Sequence, residues 1–249
     1  MKFRLISRVL GIGLIAFSFL QLTPIIVSII YNEDNIIAFA YSFLITLAFG
    51  SFLYLVNFEK KYDGIRVKEG FLLTVLLWLF FTIFATLPLI FGNNSDLSIV
   101  SAYFEATSGL TTTGATIFSD LSGEYYSILF YRGLLQWIGG LGIIVLAIAL
   151  MPLLGVGGMQ LYRGETQGPI NQSKLRPKIA ETAMVLVYIY LILTFLCFIS
   201  YFMAGMGYFD AVVHSFTTIA IGGFSNYNES FAFFNNNTIY ILAVVFMFI

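Results

Sequence analysis

Ser108-Gly109-Leu110-Thr111-Thr112-Thr113-Gly114-Ala115-Thr116 closes a short apolar run that decides the reading of this chain. The run is 98–110, with Ile99, Tyr103, Phe104 and Ala106 at helical spacing. At 1.5 Å per residue such a helix reaches about 20 Å. A bilayer core of about 30 Å needs roughly 20 residues, so this helix cannot cross. The reading is a half-helix followed by an extended, hydroxyl-rich segment holding one key glycine. Asn93, Asn94, Ser95 and Asp96 form its polar start, with Asp96 or Ser95 as the expected N-cap. A second copy lies downstream. Residues 211–219 read as a short helix, followed by Ala220-Ile221-Gly222-Gly223-Phe224-Ser225. An offset of 109 residues places Ala102 on Ala211, Glu105 on His214, Gly114 on Gly223 and Thr116 on Ser225. Identity between the copies is low, so the repeat rests on layout and glycine register.

Outward from these segments the chain is apolar. Of 249 residues, 59% are hydrophobic and 10% charged, and mean hydropathy is +0.91. Soluble domains carry about 25% charged residues. Net charge is −1, which excludes a nucleic-acid binder working through a basic surface. The single cysteine, Cys197, excludes an internal disulfide scaffold. Five stretches are expected to span: 9–30, 36–58, 71–91, 127–154 and 179–204. A sixth apolar run starts near 238 and is too short to span. The first stretch is too long for a cleaved signal peptide and is interrupted at Thr23-Pro24. Lipid admits only helices or closed barrels, and these runs lack the alternation of barrel strands. The fold class is therefore all-α integral membrane. Two leading transmembrane helices (1–66) precede a span–half-helix–span unit (67–160). A second unit (161–249) has its last span truncated.

Eleven of the twelve basic residues fall on one side if each stretch crosses once. They are Lys2, Arg4 and Arg8; Lys60, Lys61, Arg66 and Lys68; and Arg163, Lys174, Arg176 and Lys178. Glu33, Asp34, Asp96, Asp120, Glu124 and Glu229 fall on the other, with Arg132 the one base near them. Positive loops stay cytoplasmic, so the N-terminus is expected inside.

Non-helical backbone at membrane depth survives only where it is buried or lines a water-filled cavity. Rings of backbone carbonyls can replace the hydration shell of a potassium ion there. Glycine lets the chain turn without a Cβ clash, so that carbonyls face inward. The half-helix aims its negative C-terminal end at the same place. An anion pore would carry Arg or Lys in these segments, and neither segment does.

Thr112-Thr113-Gly114-Ala115-Thr116, Ile221-Gly222-Gly223-Phe224-Ser225 and Gln136-Trp137-Ile138-Gly139-Gly140-Leu141-Gly142 together resemble the Trk/Ktr/HKT superfamily of potassium transporters. The closest likeness is to the bacterial Trk-type membrane subunits, over nearly the whole chain. The resemblance implies potassium uptake across the bacterial cytoplasmic membrane through four such repeats around one pore. It implies potassium as the transported ion, with no cofactor in the chain. It implies that the carbonyls of Thr112, Thr113, Gly114, Ile221, Gly222 and Gly223 face the ion. Thr111, Ala115, Thr116, Phe224, Ser225 and Glu105 would support the filter. It also implies a homodimer, surrounding membrane lipid and a cytoplasmic nucleotide-binding regulatory ring. A serine in the first loop favours sodium in some relatives, so Gly114 argues for potassium. Third and fourth repeats have no counterpart here, so the chain reads as the N-terminal part of a protein about twice as long.

Other residues leave two readings each. Glu105, costly if bare at the bilayer centre, is either a hydrogen-bonded brace or an outer cation site. His214 is a satisfied buried histidine or a pH sensor. Gly139, Gly140 and Gly142 serve close packing behind the filter or a hinge. Arg132 is expected to anchor at the outer interface or to pair with Glu124 or Asp120. Cys197, Trp78 and Trp137 read as packing residues. The basic stretch 155–178 is a topology signal or a docking surface. An enzyme is disfavoured, since neither G-x-S-x-G nor a phosphate-binding glycine loop occurs. Two alternatives stay open: a sodium- and potassium-permeable member of the same superfamily, and a non-conducting assembly subunit. Without paired intramembrane carboxylates the expectation is passive, gated entry of potassium.

Overall fold

An apolar chain satisfies its backbone internally by coiling into helices. The computed structural model describes residues 3–56, 67–92, 97–154 and 172–249, and their regular elements are all helical. In order these are α1 (Phe3–Leu20), α2 (Thr23–Tyr31), α3 (Ile36–Val56), α4 (Val67–Gly92) and α5 (Ile99–Leu110). Then come α6 (Tyr126–Leu154), α7 (Gln172–Met203), α8 (Tyr208–Ile219) and α9 (Asn237–Phe248). A 3-10 turn, Ser230–Phe234, precedes α9. Five helical stretches are long and apolar enough to cross a membrane, α1 and α2 together forming the first. Lys60, Lys61, Arg66, Arg163, the glycines of 155–158 and the expected caps Ser95 and Asp96 lie outside the described residues. The fifth expected span, 179–204, matches the apolar window Glu181–Met203, and its helix extends further toward the N-terminus. Helix α7 begins at Gln172, so Lys174, Arg176 and Lys178 are helical rather than loop residues. Lys, Arg and Gln are good helix formers that an apolar-run criterion does not count.

Helices α4, α5 and α6 share one core with α1 and α3, built on Leu14, Phe39, Leu89, Ala106, Ile128 and Leu135. A smaller core joins α7, α8 and α9 through Cys197, Tyr201, Ala211 and Ile239. The outer face of α7 is open, with Met184, Tyr188, Ile192 and Phe195 exposed, as a lipid-facing helix requires. Hydroxyls within the spans bond back to the carbonyl four residues earlier, as Ser42, Thr82, Thr86 and Thr194 do.

The leading helices repair and cap the first unit. Pro88 sits inside α4 and has no N–H to give to the Phe84 carbonyl. Gln21, buried at the break between α1 and α2, donates its Nε2 to that oxygen at 3.0 Å. Tyr131 of α6 donates its hydroxyl to Ala85 O at 3.0 Å. At the other end, Glu33 accepts the backbone N–H groups of Tyr126 and Ser127, capping α6. Asn35 Nδ2 donates to Ser127 Oγ at 2.7 Å and to Gly92 O at 3.2 Å. Tyr31 stacks on Tyr126 with ring centroids 4.1 Å apart. The start of α6 is thereby fixed, and the helix carries Arg132 and Gln136, which reach the extended segments from its following turns.

Candidate functional site

Each extended segment hangs from the end of a short helix. Ser98 caps α5, its side chain accepting from Ser101 N, so the cap lies beyond Ser95 and Asp96. Helix α8 starts at Tyr208, three residues before the apolar pattern indicates, with Gly207 as N-cap. Tyr208–Ile219 is then Ile99–Leu110 displaced by 109 residues, end for end. The two C-termini close identically. Thr113 N donates to Ser108 O and Thr112 N to Gly109 O. At the same register Gly222 N donates to Thr217 O and Ile221 N to Thr218 O. This is the Schellman closure, whose C′ residue is left-handed and is usually glycine. Here that residue is Thr112 (φ 54°) in one copy and Ile221 (φ 52°) in the other. Gly114 (φ 78°) and Gly223 (φ 84°) are left-handed two residues on. A β-branched residue at positive φ is a genuine outlier, and holding one costs on the order of 1–3 kcal/mol. Both copies hold one at the same place.

Side chains brace each segment from behind. Thr116 Oγ1 accepts from Phe118 N at 3.2 Å and donates to Glu105 Oε1 at 2.9 Å. At the same register Ser225 Oγ accepts from Tyr227 N at 3.2 Å and lies 3.0 Å from His214 Nε2. His214 Nδ1 faces the Asp210 carbonyl, which can only accept. The proton is therefore on Nδ1, and Ser225 donates to Nε2. A segment hydroxyl joined to the half-helix is thus common to both copies. In the first segment, Thr113 donates to Thr111 Oγ1 at 2.7 Å, and Thr111 donates on to Thr107 O.

Arg132 departs from its expected place. Its side chain is 1% exposed and pairs with Glu105, which is 0% exposed, at 2.8 Å. The side chain is buried rather than at an exposed edge, and this ion pair is with neither Glu124 nor Asp120. A buried carboxylate needs a buried partner, and α6, anchored by its capped first turn, delivers one from its second turn. Glu105 Oε2 also accepts from Ile117 N at 2.9 Å. Arg132 reaches further, from Nη2 to Thr116 Oγ1 at 3.0 Å and from Nη1 to Ser225 O at 3.2 Å. Its guanidinium lies 4.3 Å from the Phe224 ring centroid and 5.1 Å from that of Phe118.

Gln136, one turn further along α6, was legible only as part of a motif. Its Nε2 donates to Gly222 O at 2.6 Å, and its Oε1 accepts from Phe224 N at 3.1 Å. The Gly222 carbonyl, expected to face the ion, has one lone pair of its oxygen taken by Gln136. A Cβ on Gly114 would fall 2.1 Å from that same oxygen, so the two segments touch there. A Cβ on Gly139 of α6 would fall 2.0 Å from Leu110 O, the close approach that the glycine-rich stretch allows. Trp78, Leu110, Thr111, Thr112, Gly139 and Ile143 line a half-open cavity of about 260 Å³ at the end of α5. Among the other packing residues, Cys197 is buried, and Trp137 Nε1 donates to Thr194 Oγ1 at 3.0 Å.

The far ends of the segments are tied as well. Asn228 donates to Asp120 Oδ1 at 2.9 Å and accepts from Leu121 N at 2.9 Å. Asp120, fully exposed, is held down to about 2, first by the Ser122 N–H and then by Asn228 and the Ser122 hydroxyl. A carboxyl lowered on folding stabilises above its unfolded value, about 3.8, and that contribution is lost as pH falls through about 2. Melting of the detergent-solubilised protein is therefore expected to depend more steeply on pH in this window than that of Asp120→Asn. Equal slopes would contradict the tie.

These features define a class: a multi-span helical membrane protein in which paired half-helices present two adjoining, braced, left-handed backbone segments. The TrkH family model, described as a cation transport protein, matches residues 35–249, and the chain belongs to that family. The family is one of ion transporters and not of enzymes. The chain is 47% identical to the Trk system potassium uptake protein TrkH of Escherichia coli strain K12, over all of this chain and 51% of that protein. It is 37% identical to TrkG of the same strain, over 96% of this chain and 49% of that one. The crystal structure of the potassium transporter TrkH from Vibrio parahaemolyticus superposes with a TM-score of 0.87 at 41% identity. That match covers 99% of this chain and 49% of the other. The chain spans about half the length of the curated relatives it matches.

Proposed function

We propose that this chain forms part of a potassium uptake pathway, with the two extended segments as ion-selecting filter strands. The observation that carries the reading is the matched pair of left-handed residues in each segment, Thr112 with Gly114 and Ile221 with Gly223. Alternating left- and right-handed residues turn successive carbonyls to one side of a chain. The ligands are then the carbonyls of Thr112, Thr113, Gly114, Ile221 and Gly223, with Gly222 contributing its remaining lone pair. Thr111, Ala115, Thr116, Phe224, Ser225 and Glu105 hold them in place. Such oxygens substitute for the ion's water shell, and the C-terminal ends of α5 and α8 add negative potential at the same point. Among the described residues the base that borders the strands is Arg132, whose charge is paired with Glu105.

On this reading the chain divides into leading helices (1–66), a first pore repeat (67–160) and a second (161–249). Further repeats complete the ring in the longer protein. The basic segments favour a cytoplasmic N-terminus, and the bacterial relatives favour the inner membrane as the location. Its relatives belong to a Trk system, which fits a membrane subunit with partners. A homodimer controlled by a cytoplasmic nucleotide-binding ring is the assembly proposed. Entry is passive and gated, driven by the membrane potential at about 2.3 kcal/mol per charge per 100 mV.

The complete protein, produced in cells lacking their own potassium uptake, is expected to restore growth on low potassium. In liposomes it should pass potassium in preference to sodium with no coupled ion. Failure of both would remove the reading. Equal sodium passage would favour the mixed-cation alternative, and strict coupling would overturn the passive mechanism.

A further inference from the structure

The two repeats are braced unequally. The first has the buried pair Glu105–Arg132. At the same register the second has His214 and Ile241, with no charge pair between them. The second strand instead borrows its support from α6 of the first repeat. Gln136 holds Gly222 O and Phe224 N, and Arg132 holds Ser225 O. Arg132 also holds Thr116 of the first strand and packs against Phe118 and Phe224, one ring from each. One guanidinium therefore bonds both strands at once, with Glu105 fixing its orientation through Nε.

We propose that Arg132 is a positioning residue for ion selection: it sets the spacing of the two filter strands, and Glu105 aims it. The inference rests on the filter reading above and adds that selectivity is carried through this tie. The geometry explains why arginine is needed. A planar fork with donors at Nε, Nη1 and Nη2 can reach Glu105, Thr116 and Ser225 together. A lysine offers one ammonium point at the end of a flexible stem. It can satisfy Glu105 but cannot span the two strands. Coordination that depends on carbonyl spacing is then loosened while the buried charge stays paired.

The test compares wild type, Arg132→Lys and the paired substitution Glu105→Leu with Arg132→Met in the complete protein. Each is reconstituted in liposomes at equal amounts of folded protein, and rubidium and sodium fluxes are read separately. Arg132→Lys is expected to lower the rubidium-to-sodium ratio about tenfold, as loss of one charge-assisted hydrogen bond does. Total cation flux should be retained or raised. The double variant removes both charges without leaving one unpaired, and its ratio should fall at least as far. A merely structural arginine would lower the folded yield or melting temperature of Arg132→Lys and leave the ratio of the surviving protein unchanged. That result would overturn the proposal. A wild type that does not discriminate between the two ions would instead overturn the filter reading itself. If Arg132→Lys does not fold, the double variant decides: an unchanged ratio there overturns the proposal as well.

Discussion

Gly114→Ser should abolish most of the discrimination between potassium and sodium while leaving the protein assembled. Two independent penalties act at this residue. Its φ of 78° lies in the left-handed region, where a side chain costs roughly 1–2 kcal/mol. A Cβ there would also fall 2.1 Å from the Gly222 oxygen, well inside contact distance. The strand can relieve both only by rotating the 114 peptide or by pushing Gly222 away from Gln136. Either movement displaces carbonyls in both segments. Since about 1.4 kcal/mol is a factor of ten, a loss of tenfold or more in the rubidium-to-sodium flux ratio is expected. Gly223→Ser is the informative companion. Its φ is 84°, but no atom lies within 4 Å of a Cβ built there. It should therefore show the backbone penalty alone and the smaller effect. Equal effects of the two substitutions would contradict the contact between strands.

The largest stability effect is expected from Glu105→Ala. The carboxylate is fully buried and holds Arg132, Thr116 and Ile117 N. Removing it leaves the Arg132 charge buried and unpaired, which typically costs about 3–5 kcal/mol. Melting of the detergent-solubilised protein should drop accordingly, or folded protein should fail to accumulate. Exchanging both partners for apolar residues should cost far less, because no charge is stranded. The paired variant Glu105→Leu with Arg132→Met is thus expected to fold better than Glu105→Ala. If the double variant is the less stable of the two, a stranded buried charge is not what makes Glu105→Ala costly.

Several of these features were legible in the sequence. Run lengths separate spans from half-helices, because 98–110 cannot cross a bilayer. The 109-residue register ties Gly114 to Gly223 and Glu105 to His214, and in both copies the half-helix residue meets the segment hydroxyl. That Glu105 needed a partner followed from the cost of a bare charge. Which partner it has did not, because nothing local fixes the rotation of α6. That rotation is set by Glu33, Asn35 and Tyr31 of a distant turn. Left-handed Thr112 and Ile221 were unreadable for another reason: propensity assigns such a conformation to glycine, and here the helix closure imposes it. Gln136 sat within an apolar span, and only the folded segment shows that its amide has a backbone donor and acceptor to meet. Helices α7 and α8 start before their apolar runs because charged and aromatic residues extend helices beyond their apolar cores.

The most direct test is a density map of the complete protein in a lipid nanodisc with rubidium or thallium as the permeant ion. Ion density is predicted on a common axis beside the 112–114 and 221–223 main-chain oxygens, with Arg132 bridging behind the two strands. Ion density elsewhere, with these two segments turned toward acyl chains, would contradict the account.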